Sequence, residues 1–419
     1  MTLIYFILIL GITILVHEFG HFICAKKFGV YCYEFSIGMG PRLLKFKRKN
    51  DETEYSLRIL PLGGYVAMAG EGVEVDPSVP KGMSLQDKSA LKRFIIMVAG
   101  VTMNFITALI IYMIIGICNT VTFNNLYINE NSLSGINDGD KIVSINNHHI
   151  NNYDKLNLEL ALVQDNPYTL GVKDKNGEIK TIDVDPIKVG KSGLIYGYDY
   201  GFYIYYTNIY KIQIDGIKEN STITKINDVE VNTYNDILVE LNEIGNKEFT
   251  LTVKDDEKEQ YVKIKPKKIK EDEVSGYAYG FSLKGEERKG FLSGIRYGFF
   301  KFGSTMEQMY FTVLYLCTGK ISLKMLSGPV GIYNVVSVYS TYGLFSLLGL
   351  LALICINVGF INILPLPAMD GGHIFFILIE KIKGSKVDPK IENKIHNIGL
   401  ILLLILMVVI TFNDILRLI

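Results

Sequence analysis

Two histidines and a glutamate stand close enough together in this chain to do chemistry: His17-Glu18-Phe19-Gly20-His21, the pattern HExxH. On a helix, positions i and i+4 share one face about a turn apart. Both imidazoles can then reach a single Zn²⁺, while Glu18 lies near enough to act on a water held there. The five-residue pattern also arises by chance in soluble helices, but here it lies within the apolar run Thr2 to Ala25. A Glu and two His are expensive at membrane depth unless they face a polar cavity. The plainer alternative is a pair of hydrogen-bonded histidines near the headgroups. A two-His zinc site takes a third protein ligand and leaves its fourth position open. The candidate is Asp370, in Asn362-Ile363-Leu364-Pro365-Leu366-Pro367-Ala368-Met369-Asp370-Gly371-Gly372. The same stretch also reads as a turn at a helix end, with Asp370 as N-cap of a helix from His373 to Ile382. Of the other histidines, His373 follows the glycine pair in a structural role, His396 is interfacial, and His148-His149 fall in an exposed turn.

Positioning these groups requires membrane spans. The chain has 419 residues, 49% hydrophobic and 21% charged, with 43 basic against 43 acidic side chains. That excludes a disordered tail protein and a nucleic-acid binder relying on overall basicity. Mean hydropathy is positive, +0.24. Apolar runs at Thr2 to Ala25, Phe94 to Cys118, about Leu344 to Leu364 and about Ile398 to Phe412 are each long enough to approach a bilayer crossing. The loop between the first two carries Lys26, Lys27, Arg42, Lys45, Lys47, Arg48, Lys49, Lys92 and Arg93, and the loop after the third carries Lys381, Lys383, Lys386, Lys390 and Lys394. Both loops are therefore expected inside, the N-terminus outside, and the stretch from about Asn119 to Ile295 outside. This topology brings Asp370 to the depth of His17 and His21. Phe291 to Cys317, with Arg296, Lys301 and Glu307 among aromatics, reads as an amphipathic helix on the outer surface. The five scattered cysteines form no CxxC, so neither a disulfide framework nor a thiolate zinc site is expected.

The outer stretch repeats itself. Gly135-Ile136 to Lys173-Asp174 matches Gly216-Ile217 to Lys254-Asp255 at a constant shift, with identities such as Ile142/Ile223, Asn146/Asn227, Tyr153/Tyr234 and Val172/Val253. Each copy reads as a strand, an Asn turn and a short helix. The first copy, with Gly139-Asp140 before its strand, resembles PDZ domains, which bind extended peptides at a sheet edge. In the second copy Asn220-Ser221 replaces Gly-Asp, and the resemblance weakens.

Taken together, HEFGH at His17 to His21, Pro61-Leu62-Gly63-Gly64-Tyr65-Val66, GVTMNF at Gly100 to Phe105, Gly328-Pro329-Val330-Gly331 and NILPLPAMDGG resemble the site-2 protease family. These are intramembrane zinc metalloproteases, and the likeness is to the bacterial, PDZ-containing RseP/RasP-like group. Val101 departs from the Pro usual there. The resemblance implies Zn²⁺ on His17, His21 and Asp370, and Glu18 as catalytic base. It implies Asn357 and Asn362 as substrate-positioning groups. It also implies a membrane-associated β-hairpin at Leu60 to Met68 whose edge, with Gly63, Gly64 and Tyr65, holds substrate. The expected fold is a polytopic α-helical membrane protein with about four transmembrane helices, a cytoplasmic β-hairpin region and two extracytoplasmic α+β PDZ-like domains. The expected order is a span at 1–25, a cytoplasmic loop with the hairpin at 26–93, a span at 94–118, and PDZ-like domains at 119–187 and 188–270. An amphipathic or linker region at 271–340, a span at 341–372, a cytoplasmic helix at 373–394 and a last span at 395–419 complete it. The implied substrates are single-span membrane proteins, such as anti-sigma factors and remnant signal peptides, in the bacterial cell membrane after an upstream site-1-type protease has acted; no nucleic-acid partner is expected. The competing reading is a membrane-anchored PDZ scaffold that binds peptides without cutting them.

Overall fold

A computed structural model describes the chain except residues 50, 72–75, 191–193, 195–197, 200–201, 206–207, 213, 215–216, 219–220, 256–257, 269–275, 279–280, 322–326 and 417–419. Gly216 and Asn220 of the second repeat, and the expected boundary near 270, lie outside the described residues. The chain divides into two units, Met1–Val121 with Arg288–Ile419, and Thr122–Glu287.

In the first unit, α1 (Thr2–Lys27) is uninterrupted by proline and carries Lys26 and Lys27 in its last turn, where cations suit the negative end of the helix. Two long strands follow, β1 (Cys32–Lys47) and β2 (Glu54–Met68), and then α2 (Ala90–Cys118). The strands do more than form a simple hairpin. Ser36 pairs with Tyr65 and also with Ser56, and Ser56 pairs in turn with Lys45, so four rows lie side by side. Positive φ at Gly38 and Gly40 gives β1 the bend this requires. Buried Glu34 ties the rows together: it accepts hydrogen bonds from Ser56, from Tyr65 at 2.7 Å and from Arg58 at 2.8 Å. Burial alone would raise its pKa, yet these bonds and the Arg58 charge hold it down at about 2.

Among the described residues, the helices of the second unit are α3 (Tyr153–Val163) and α4 (Tyr234–Ile244). Back in the first unit come α5 (Phe291–Cys317), α6 (Pro329–Thr341), α7 (Leu344–Ile363), α8 (Asp370–Lys383) and α9 (Pro389–Leu416). Among the described residues, α1, α2, α7 and α9 are long and apolar enough to cross a membrane. Of these, α1, α2 and α7 share a core in which Ile9, Ala108, Ile111, Leu350, Leu351 and Cys355 are buried together, while α9 leaves most of its apolar side chains exposed, as a helix facing lipid would. The Gly328-Pro329-Val330-Gly331 motif starts α6, and its Gly328 and Gly331 N–H groups both donate to the buried Asp414 carboxylate of α9 at 2.8 Å. An anion at a helix N-terminus satisfies otherwise orphaned donors.

The α5 helix packs along α2: a Cβ on Gly294 would strike the backbone at Gly116–Ile117, one on Gly298 would strike Met113, and Phe302 meets Phe105 edge-on at 5.9 Å. The reason is a face of small residues. Gly294 and Gly298 let two backbones approach, and the charges that suggested a surface helix say nothing about that face.

The second unit carries both repeats. The first sheet runs Phe281–Arg288, Val121–Asn131, Lys141–Ile145, Tyr168–Lys173, Ile179–Val184 in spatial order; the second runs Phe202–Tyr205, Asn208–Ile212, Thr222–Ile226, Phe249–Asp255, Lys258–Ile264. Registers repeat as the sequences do: Ile142 faces Val172 and Ile145 faces Leu170, while Ile223 faces Val253 and Ile226 faces Leu251. Asn146 and Asn227 both have positive φ, and their side chains accept from Thr169 and Thr250 at 2.9 and 3.0 Å. Two α+β modules of one design are thus present. His148 is half-buried, 2.8 Å from Glu159, and only His149 is exposed.

Candidate metal centre

One turn of α1 places both histidines on a buried face, His17 6% and His21 5% exposed. Their Nε2 atoms are 3.1 Å apart, and Asp370 Oδ2 is 3.0 Å from the first and 3.4 Å from the second. Tetrahedral zinc with bonds of about 2.0–2.1 Å spaces its ligand atoms at about 3.3 Å, so this triangle has the right size. The donor set fits as well. His21 Nδ1 is 2.8 Å from the Ile96 carbonyl, which can only accept, so that ring carries its proton on Nδ1 and turns a lone pair inward at Nε2. Asp370 Oδ2 is buried and receives no hydrogen bond. Lone pairs converging on one point repel unless a cation lies between them, and these residues suit Zn²⁺.

Asp370 arrives by a sharp route. Leu364 leaves α7 with extended ψ because Pro365 follows it, and the chain folds back so tightly that a Cβ on Gly371 would lie 2.0 Å from the Leu364 carbonyl oxygen. Met369 is the N-cap of α8, with no side-chain cap bond; Asp370 is the first helical residue and its carboxylate faces the imidazoles instead.

Glu18 is gripped from the hairpin, with the Val66 N–H donating to its Oε2 at 3.2 Å. That contact needs β2 to lie on α1. Gly63 allows it with φ +78°, and any Cβ there would collide with Ile14 at 2.6 Å. A Cβ on Gly64 would lie 2.3 Å from the Ser36 carbonyl oxygen. The Tyr65 hydroxyl is taken up by Glu34 and Arg58 inside the hairpin. Asn357 and Asn362 occupy the last turns of α7, and Asn357 Oδ1 is buried without a hydrogen bond.

A second His-Glu-His group, His373, Glu392 and His396, lies nearby in sequence. His373 Nδ1 is 2.8 Å from Glu392, its ring is stacked on His396 at 3.9 Å, and the Ala368 N–H donates to His396 Nδ1 at 3.0 Å. Stacked rings direct their lone pairs in parallel rather than to one point, so this group braces the loop ahead of Asp370. His396 is thus buried, where the sequence suggested an interfacial residue.

Sequence reasoning assigned no role to two residues at this centre. A Cβ on Gly100 of α2 would lie 2.3 Å from His21 Nε2 and 2.9 Å from His17 Cε1. Asn104, fully buried, stands 3.4 Å from His17 Nδ1. Their i, i+4 spacing, which mirrors that of the histidines, was the available signal.

A sequence model of peptidase family M50 matches residues 5–406. The chain belongs to peptidase family M50. This M50 chain is similar to the "Regulator of sigma-W protease RasP" of Bacillus subtilis (strain 168), 31% identical over 432 residues that cover 100% of this chain and 99% of the relative. It is also similar to proteins named "Zinc metalloprotease RasP" in Shouchella clausii, 28% identical over 448 residues, and Bacillus licheniformis, 30% identical over 440 residues. Each alignment covers 100% of this chain and 99% of the relative. The M50 chain is a zinc metalloprotease, and its apolar helices make it an intramembrane one.

Proposed function

We propose that His17, His21 and Asp370 hold the zinc ion, that Glu18 is the general base, and that the substrates are transmembrane segments of single-span proteins. The observation that carries this is the triangle of two inward Nε2 atoms and an unbonded Asp370 Oδ2 at 3.0–3.4 Å. When bound there, zinc would supply Lewis acidity for a peptide carbonyl and a water pKa lowered toward about 7. Glu18 accepts the attacking water's proton and returns it to the departing amine, while the Val66 N–H keeps its carboxylate aimed.

A substrate helix in lipid has every peptide group bonded internally, so it must unwind before cleavage. The Leu60 to Met68 edge, at Gly63, Gly64 and Tyr65, would take the unwound segment as an added strand; Asn357 and Asn362 would supply amide partners. The positive-inside pattern puts the N-terminus and the two PDZ-like modules outside the bacterial cell membrane and the centre near its inner face. There the modules would select anti-sigma factors or remnant signal peptides already shortened by another protease.

The test is zinc content and cleavage of a single-span protein by detergent-purified wild type and Glu18→Gln. Retained zinc with lost cleavage is expected. Full cleavage by Glu18→Gln would overturn the assignment of the base.

A further inference from the structure

We infer that Asn104 is a positioning residue of the metal centre: its side-chain oxygen accepts the Nδ1 proton of His17 and so holds that ring with Nε2 toward the ion. The inference rests on reading His17 as a ligand.

The two rings face the centre with the same atom, since His17 Nε2 lies 3.1 Å from His21 Nε2 and 3.0 Å from Asp370 Oδ2. An imidazole that ligates through Nε2 carries its proton on Nδ1, and a buried N–H needs an acceptor. For His21 that acceptor is the Ile96 carbonyl, part of the backbone of α2. For His17 the group in place is the side chain of Asn104, 3.4 Å from Nδ1 and without solvent exposure.

The amide stands with Nδ2 toward His17 and with Oδ1 buried and unpaired. That orientation suits a ring protonated on Nε2. The two ends of an amide have nearly the same shape, so a half-turn of the group presents Oδ1 instead, within the same space. Asparagine can therefore serve either tautomer, and ligation through Nε2 selects the one with Oδ1 toward the ring. The helices are arranged for this. Counted along α2, Ile96 and Gly100 meet His21 and Asn104 meets His17, so one helix presents in turn a carbonyl, a gap and an amide to two imidazoles. Only the His17 partner is a side chain, and only it can be changed by mutation.

The experiment compares zinc affinity, by competition with a chelator, for full-length wild type, Asn104→Asp, Asn104→Leu and His17→Ala in detergent, with the visible spectrum of the Co²⁺-loaded proteins as a second readout. A carboxylate is also an acceptor, so Asn104→Asp should bind zinc within a few-fold of wild type. Asn104→Leu fills similar space but accepts nothing, and should bind about 10–100-fold more weakly, the usual effect of losing such a partner. The opposite order, Leu binding normally and Asp failing, would show that Asn104 only fills space and would overturn the inference. If Leu disturbs folding by circular dichroism, Asn104→Ala replaces it with the same two outcomes. Wild-type affinity in His17→Ala would instead sink the ligand assignment; loss there with normal binding by Asn104→Leu would sink the Asn104 role alone.

Discussion

Gly100→Ala tests the architecture of the centre with a single carbon. The new Cβ would lie 2.3 Å from His21 Nε2, 2.8 Å from its Cε1 and 2.9 Å from His17 Cε1. Against an ordinary contact of about 3.4 Å, the His21 ring must retreat by about 1 Å, whereas metal–ligand distances tolerate about 0.2 Å. Neither partner gives easily, because His21 is pinned to Ile96 and α2 is held along α1, where a Cβ on Gly20 would reach the Ala99 carbonyl. Zinc affinity should fall by at least about 10–100-fold, or about 1.4–2.8 kcal/mol. Alanine favours the helix over glycine by about 1 kcal/mol, so helix formation should not suffer. Chelator competition in detergent, with circular dichroism beside it, separates the two effects. A Gly100→Ala protein that binds zinc and cleaves as wild type does would refute the close-approach argument.

Two other perturbations probe the scaffold. An acid held below its ordinary value by folding contributes stability above that value and loses it as the pH falls. Glu34 should therefore contribute fully above about pH 4.5 and progressively less down to about pH 2. Unfolding of wild type and Glu34→Gln across this range should converge at the acid end, and parallel curves would contradict it. Arg93 and Glu380 form a buried ion pair joining α2 to α8. Glu380→Leu alone should destabilise the protein by about 3–5 kcal/mol, because it strands the Arg93 charge. Adding Arg93→Met should recover much of this, though not the bond Glu380 accepts from the Val387 N–H; strictly additive losses in a denaturation series would rule out the coupling.

By itself the sequence determined whatever depends on local spacing. The length of an apolar run decides what can cross a bilayer, the i, i+4 rule puts His17 and His21 on one face, and the repeat marks two modules of one design. Lys placement also led to an expected topology with Asp370 at the depth of His17 and His21, because depth in a membrane is a one-dimensional quantity. The tertiary structure decided everything that depends on two segments meeting. Asp370 as an N-cap and Asp370 as a ligand have the same local sequence, and only the course of the 364–369 turn, braced by His396, sends the carboxylate to the imidazoles. Likewise the face that α5 turns to α2 cannot be read from its charges, because hydropathy averages over a whole helix. Its glycine face against α2 acts at two or three contact points. Gly100 and Asn104 were visible as letters, but a missing side chain and an amide acquire a role only when another helix brings histidines to within bonding distance.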